Sequence, residues 1–362
     1  MAGFEGVKWA TKQMKYTLND RAFTLCEADA KVYAVSKSIH YGLFLTFEGI
    51  RFFCKRNEQN KLEIIFLNLK DNLTRFMRGI AFNLGTNQQH LVPKVEELES
   101  TFVRFFKEPA MADFLQEMAD SGAQGYLRPF TVDEQQSIGV TFPMEPSIRA
   151  VVCRYERYLG EPFSGVVIPN MVRAVTINGT GNLKLSINYL MSIKAVDAAK
   201  QIEPNAAAAL LLDDRPYLQI EKRHITEWDS SCCLFAFRDG TVVKIPESPL
   251  ILPSITIKGT VAILKQMGVT VEERQIPYGE LIDKTRSKQI IAICSVGTAG
   301  ILNRCQKLLL TDANSRIIAT HDADENHELY HKLGEARRIY WDIYQGKAPL
   351  PEGMELKAYL VE

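Results

Sequence analysis

The stretch Gly179-Thr-Gly-Asn-Leu-Lys-Leu-Ser-Ile-Asn-Tyr189 sets one lysine, Lys184, between a glycine turn and an apolar segment that reads as a helix from about Leu185 to Ala199. Glycine adopts backbone conformations closed to other residues, so the chain can turn sharply just before Lys184. A lysine held at such a junction is a candidate amine nucleophile, although a surface lysine capping a turn is the commoner outcome. Further along, His224-Ile-Thr-Glu227 leads into the apolar run Cys232-Cys-Leu-Phe-Ala-Phe237. Glu227 therefore stands at the edge of a buried strand, where a carboxylate needs a partner. Leu252-Pro-Ser-Ile-Thr256 opens a helix expected over Ile255–Met267, with the amides of Ile255 and Thr256 at its positive end. The Ser and Thr there equally suit an ordinary helix cap. Ser295-Val-Gly-Thr-Ala-Gly300 follows a strand at Ile290–Cys294, and its glycines let backbone amides approach an anion closely. A lysine, a carboxylate and two anion-binding turns, in this order, are the parts that a pyridoxal phosphate site requires.

The composition sets wide bounds around this candidate. Among 362 residues, 43 Lys and Arg balance 43 Asp and Glu, whereas bulk binding to nucleic acid or to an anionic membrane needs a clustered basic excess. The hydrophobic share of 46% and the charged share of 24% are those of a globular chain. No apolar run approaches the roughly 18 residues of a spanning helix, and the start lacks a basic stretch followed by an apolar one, so a soluble, cytoplasmic protein is expected. Seven scattered cysteines, without a C-x-x-C pair or a Cys/His cluster at zinc spacing, fit a reducing compartment, and His321, His327 and His331 sit on a charged stretch that reads as solvated, so no metal is expected. Asn178-Gly-Thr180 fits a glycosylation acceptor pattern but reads as a tight turn.

Periodicity predicts short strands at Lys31–Val35, Gly49–Phe53 and Leu62–Phe66, then a helix from Asp71-Asn72 that places Leu73, Phe76, Met77 and Ile80 on one face. A helical stretch over Val95–Asp120, interrupted near Pro109, puts Phe102, Phe105 and Phe106 in a core, and Val151–Tyr158 reads as a short strand or connection. Beyond Asn170, strands are expected at Ala208–Leu212, Cys232–Phe237 and Val242–Ile245, with helices at Tyr278–Lys288 and Asn326–Tyr344. The fold class is α/β (α+β), with a small N-terminal α/β domain over residues 1–155, a connection over 156–170 and a larger domain over 171–362.

From about Ser38 to near Gly353 the chain resembles the branched-chain aminotransferases, of the fold-type IV class of pyridoxal phosphate enzymes. His40-Tyr-Gly42 and Phe47-Glu-Gly-Ile-Arg51 look like that family's tyrosine and F-E-G segments. Asn72-Leu-Thr-Arg-Phe76 resembles its phosphate-binding arginine segment, Tyr126-Leu-Arg-Pro129 its Y-V-R-P segment, and Arg154-Tyr-Glu-Arg-Tyr158 the region of a pocket tyrosine. Gly181-Asn-Leu-Lys-Leu-Ser-Ile-Asn-Tyr189 is similar to G-x-x-K-x-x-x-N-Y.

The resemblance implies a mixed-sheet, barrel-like core in the larger domain and pyridoxal 5'-phosphate as cofactor. It implies that Lys184 forms the Schiff base, that Tyr189 bonds the phenolic oxygen and that Glu227 holds the pyridine nitrogen protonated. Arg75, Ser230, Ile255, Thr256 and Thr298 would complete the cofactor site. Tyr41, Phe47, Tyr126, Arg128, Tyr158, Thr298 and Ala299 would line the substrate side, with Arg128 as counter-charge to a second carboxylate. The activity implied is transfer of the amino group between Leu, Ile or Val and 2-oxoglutarate by a homodimer whose partners are small amino acids and 2-oxo acids. Departures fall at Ser254 and Ile257, where the family has glycine and arginine, with Lys258 one position later. Others fall in Glu227-Trp-Asp-Ser-Ser-Cys232, which replaces E-x-G-x-x-N, and in the one-residue longer gap from Tyr41 to Phe47. Two alternatives stand beside this reading: a fold-type IV transaminase or lyase for a D-amino acid, an amine or an aminodeoxychorismate-like compound, and a catalytically silent relative kept as a binding protein.

Overall fold

The computed structural model describes residues 3–31, 34–159, 162–173 and 179–361. The chain forms two compact units, and a linear division leaves out two segments: Leu183–Ile187 and the residues from Met354 onward pack with Phe4–Arg157.

The first unit is built on an antiparallel sheet in the order Leu356–Leu360, Leu62–Leu67, Ile50–Arg56, Gln124–Asp133, Pro146–Tyr155, Lys12–Thr17, Phe23–Glu27. Helices Leu69–Phe82, Val95–Lys107 and Ala112–Ser121 bury their apolar faces, and Phe76, Leu98, Phe102, Phe105 and Phe106 form one core with Phe52, Ile64 and Phe66. The expected short strand at Val151–Tyr158 is in fact the end of Pro146–Tyr155, which buries Arg149 against Glu134 at 2.8 Å; buried charges broke the apolar pattern. Of the expected strand at Lys31–Val35, Val32 and Tyr33 lie outside the described residues, and Ala34 and Val35 form a turn.

The second unit holds a mixed sheet in the order Ile225–Trp228, Ala208–Leu212, Phe163–Ile168, Ile301–Thr311, Ile290–Gly297, Cys232–Phe237, Thr241–Lys244, Thr270–Glu273, with Ile317–Asp322 paired to Ile301–Thr311. Phe163–Ile168 runs parallel to both of its neighbours, and the strands Ile290–Gly297 and Cys232–Phe237 are antiparallel. The helix expected from Leu185 starts at Tyr189, after a 3-10 turn at Ser186–Asn188, and runs to Ile202. Its small residues Ala195 and Ala199 let it settle on Val166, Ile168, Ala209 and Leu211. Helices Ile255–Gln266, Tyr278–Arg286 and Glu328–Tyr344 complete the unit. The register Cys232↔Val296 sets the beginning of one strand beside the end of its neighbour, so the turns at 228–231 and 297–300 meet at one edge.

Candidate active site

Within the first unit, the lysine segment is pinned by backbone bonds. The Lys184 carbonyl accepts from Phe47 N and from Thr46 Oγ1, both at 3.1 Å, and Leu185 bridges Thr46. The Lys184 Nζ lies 5.0 Å from the centre of the Phe47 ring. Arg128 stands 4.8 Å from the same ring, and its Nη2 donates to the Tyr126 hydroxyl at 2.9 Å. An amine, a guanidinium and an aromatic wall thus converge on Phe47. Gly49 makes room for this: a Cβ there would lie 2.0 Å from the Tyr126 hydroxyl oxygen.

Glu48, fully buried, receives Arg75 Nε at 2.7 Å and the Gly49 amide at 2.8 Å. Burial works against the Glu48 charge, but Arg75, with Lys184 adding to it, holds the carboxyl below the ordinary carboxylate range. Arg75, which the family likeness assigns to a phosphate, is therefore also the counter-ion of Glu48. Tyr41 is half exposed on the helix Lys37–Tyr41, and its hydroxyl donates to the Ile138 carbonyl at 3.0 Å; it borders the 134–145 loop rather than serving as a wall at Phe47. The side chain of Tyr158 lies outside the described residues.

The second unit carries the carboxylate and the amide turns. Glu227 is buried, and its Oε1 accepts from Arg173 Nε at 2.7 Å and from Leu252 N at 3.4 Å. Burial disfavours the Arg173 charge, but Glu227 outweighs it and holds the guanidinium above its ordinary pKa. Arg173 Nη2 reaches on to the Gly181 carbonyl at 2.8 Å. Gly181 must be glycine, because a Cβ would meet the Pro249 carbonyl oxygen at 2.4 Å. Asn188 holds the neighbouring Thr180 twice, through Nδ2 to its carbonyl and through Oδ1 from its hydroxyl, each at 2.8 Å. Tyr189 follows as the first residue of its helix.

Ser254 caps the helix Ile255–Gln266 by accepting from Ile257 N at 3.2 Å, which leaves the amides of Ile255 and Thr256 with no acceptor inside the helix. Cys232 Sγ donates to the Leu252 carbonyl at 3.4 Å, and Ser231 and Ser295 share a hydroxyl bond at 2.6 Å. Gly297 runs close beside Ser231. The segments that carry Ser230, Ile255, Thr256, Thr298 and Ala299 are thereby gathered at one edge of the sheet, as an anion-binding site needs. Ile257 is buried in a cavity wall with Thr226, Cys232 and Ser254, whereas Lys258 is exposed. Consecutive helix positions are about 100° apart, so Lys258 projects from a different side of the helix than Ile257.

Three residues went unassigned on sequence grounds. Glu48 lies inside the F-E-G segment without a role of its own; Arg173 shows only as a charge in the run Met171-Val-Arg-Ala-Val175; Asp229 shows only as an acidic residue where E-x-G-x-x-N has glycine. Asp229 is buried, takes the Ala209 amide at 2.9 Å, and burial pushes its carboxyl up to about 6.

No protein-family model matches the chain. Branched-chain-amino-acid aminotransferase 2 of Bacillus subtilis (strain 168) is 26% identical over 276 residues, which are 75% of this chain and 70% of that protein. Among solved structures, the branched-chain aminotransferase of Thermoproteus uzoniensis with norvaline matches with a TM-score of 0.67 at 20% identity, over 93% of this chain and 96% of that one. The branched-chain amino acid aminotransferase of Thermobaculum terrenum, in its PLP-bound holo form, gives 0.64 at 15% identity, over 93% and 95%. The fold is that of the fold-type IV enzymes. Within that class the chain is similar, in sequence and in fold, to branched-chain aminotransferases.

Proposed function

We propose that this chain is a pyridoxal phosphate-dependent transaminase that moves the amino group between the branched-chain L-amino acids and 2-oxoglutarate. The observation that carries the reading is the Phe47 cluster: a lysine amine and a guanidinium on one aromatic ring suit a substrate with an aliphatic side chain and an α-carboxylate.

The chain's donors fit the cofactor. The free amides of Ile255 and Thr256, the Ser230 hydroxyl and the glycine turn at Thr298 suit a phosphate, and the buried Glu227 carboxylate suits a protonated ring nitrogen. Tyr189 would bond the phenolic oxygen. When bound, pyridoxal phosphate supplies a carbonyl carbon for the amino group and a ring that stores the electron pair released at the substrate Cα. The Lys184 amine would serve as the base that takes the proton from the substrate Cα and passes it on within the same half-reaction, and would carry a proton in the reverse direction, to Cα, in the second. Phe47 gives the apolar wall for the side chain and keeps water from the amine. Arg128, oriented by Tyr126, neutralises a carboxylate, and the second carboxylate of glutamate is the group for which this charge matters most. Arg75 keeps Glu48 ionised beneath the lysine.

Amino transfer from L-leucine to 2-oxoglutarate, assayed with added cofactor, tests the proposal. Activity and a visible cofactor band should both be present in the parent and absent in Lys184→Ala. Parent protein that transfers no amino group from any aliphatic L-amino acid overturns the reading, and transfer only from D-amino acids or amines redirects it.

We infer further that the protein works as a homodimer in the cytoplasm. Ile138, Val140, Phe142 and Met144 expose large apolar side chains on one loop, yet that loop is held by Lys37 Nζ through Thr141 Oγ1 at 2.7 Å and the Phe142 carbonyl at 3.1 Å. A fixed apolar surface of this kind suits a second copy. The seven cysteines are unpaired, and among the described residues no helix is long and apolar enough to cross a membrane.

A further inference from the structure

We propose that Arg173 is a positioning residue that fixes the Glu227 carboxylate, and ties it to the turn before Lys184, so that the cofactor's ring nitrogen stays protonated. This deepens the transaminase reading and rests on it.

The geometry has three parts. Arg173 and Glu227 are 5% and 3% exposed, so both charges are buried and are paired with each other. The guanidinium is used at two edges: Nε holds Glu227 Oε1 at 2.7 Å, and Nη2 holds the Gly181 carbonyl at 2.8 Å. A lysine in its place carries the charge but lacks the planar fork that spans two acceptors. The turn so held is also clamped from its other side, where Asn188 grips Thr180 immediately before Tyr189. One network therefore runs from the carboxylate assigned to the ring nitrogen, through Arg173 and the 180–181 turn, to the tyrosine assigned to the phenolic oxygen.

The consequence is electrostatic. A ring nitrogen gains a proton only beside a carboxylate that is ionised and correctly aimed. Removal of Arg173 takes away a charged hydrogen-bond partner of the buried Glu227, which favours proton uptake by the carboxylate itself. The ring would then be neutral and a poor electron store, although phosphate and lysine contacts would persist.

The test uses full-length protein loaded with 15N-labelled pyridoxal phosphate, with the ring-nitrogen chemical shift measured at pH 7 alongside steady-state kinetics. The parent should show a protonated nitrogen. Arg173→Met should show an unprotonated one, with cofactor affinity changed less than tenfold and kcat reduced at least 100-fold. Arg173→Lys should keep the nitrogen protonated and lower kcat by about tenfold, through the lost Gly181 contact. A merely structural role for Arg173 lowers thermal stability without moving the nitrogen signal. If Arg173→Met does not fold, the lysine variant decides: parent-like kcat overturns the proposal. A protonated nitrogen in a folded methionine variant overturns it as well. Parent protein that binds no pyridoxal phosphate sinks the transaminase reading itself, an outcome distinct from both.

Discussion

Asp229 and His321 are buried ionisable groups of the second unit whose titrations oppose each other. Burial pushes the Asp229 carboxyl from 3.8 up to about 6, so the folded chain holds that proton more tightly than the unfolded one. The stabilisation it gives is complete below about pH 4 and is lost as pH rises through 6. Burial pushes His321 from 6.5 down to about 4, so its contribution is present above pH 6.5 and is lost as pH falls toward 4. Each amounts to roughly 3 kcal/mol at about 1.4 kcal/mol per pKa unit, and the two slopes nearly cancel in the parent. Asp229→Asn keeps an acceptor for the Ala209 amide. Relative to the parent it should gain stability by about 3 kcal/mol between pH 4 and 6.5, and His321→Gln should lose about as much over the same range. Urea unfolding in half-unit steps of pH measures both, and two profiles parallel to the parent's would show that neither shift exists. At Gly49 the expected effect is on substrate alone. Ala at this position forces the Tyr126 hydroxyl away from Arg128, and one lost hydrogen bond raises KM about tenfold with the fold intact; an unchanged KM refutes the role given to Tyr126.

At the scale of the element, the helix Ile255–Gln266 shows what could be read in advance. Its Ser254 cap and the apolar spacing after it are local signals, and the helix begins where they say. Ser254→Ala should cost about 1 kcal/mol in chemical denaturation, because Ile257 N loses its acceptor; a cost near zero would mean that the cap is replaced by solvent. The strand Gln124–Asp133 was illegible for the opposite reason. Its inward positions are Gly125, Leu127, Pro129 and Thr131, so the buried face is not an apolar one, and the alternation that marks a strand never appears. Pro146–Tyr155 hid two buried arginines in the same way. The candidate site followed a similar rule. Lys184, Glu227 and the amide turns announce themselves by local sequence, whereas Arg173 and Glu48 act through partners 54 and 27 residues away, and spacing along the chain says nothing of such pairs.

At the scale of the whole molecule, the chain's last strand returns to its first unit. Leu356–Leu360 pairs antiparallel with Leu62–Leu67, Ala358 opposite Ile65, and the two are joined at the turn by Asn68 N to the Glu355 carbonyl at 2.7 Å. Lys357 Nζ and the Tyr359 hydroxyl both reach Glu99, at 2.7 and 2.6 Å, which fastens the strand to the helix Val95–Lys107 as well. These bonds hold the Glu99 carboxyl below its ordinary range although burial opposes the charge. A chain ending at Gly353 would leave Leu62–Leu67, five of whose six residues are buried, as an open sheet edge. The expected outcome is selective. Calorimetry should show the transition of the first unit moved to lower temperature while that of the second unit stays in place, and light scattering should rise with concentration as the open edge recruits other copies. The strand contributes the outer hydrogen-bond ladder and the partners of Glu99 but no part of the second unit's core, so a uniform fall of both transitions would mean that the two units unfold as one. An unmoved pair would mean that the returning strand is only an ornament of the sheet.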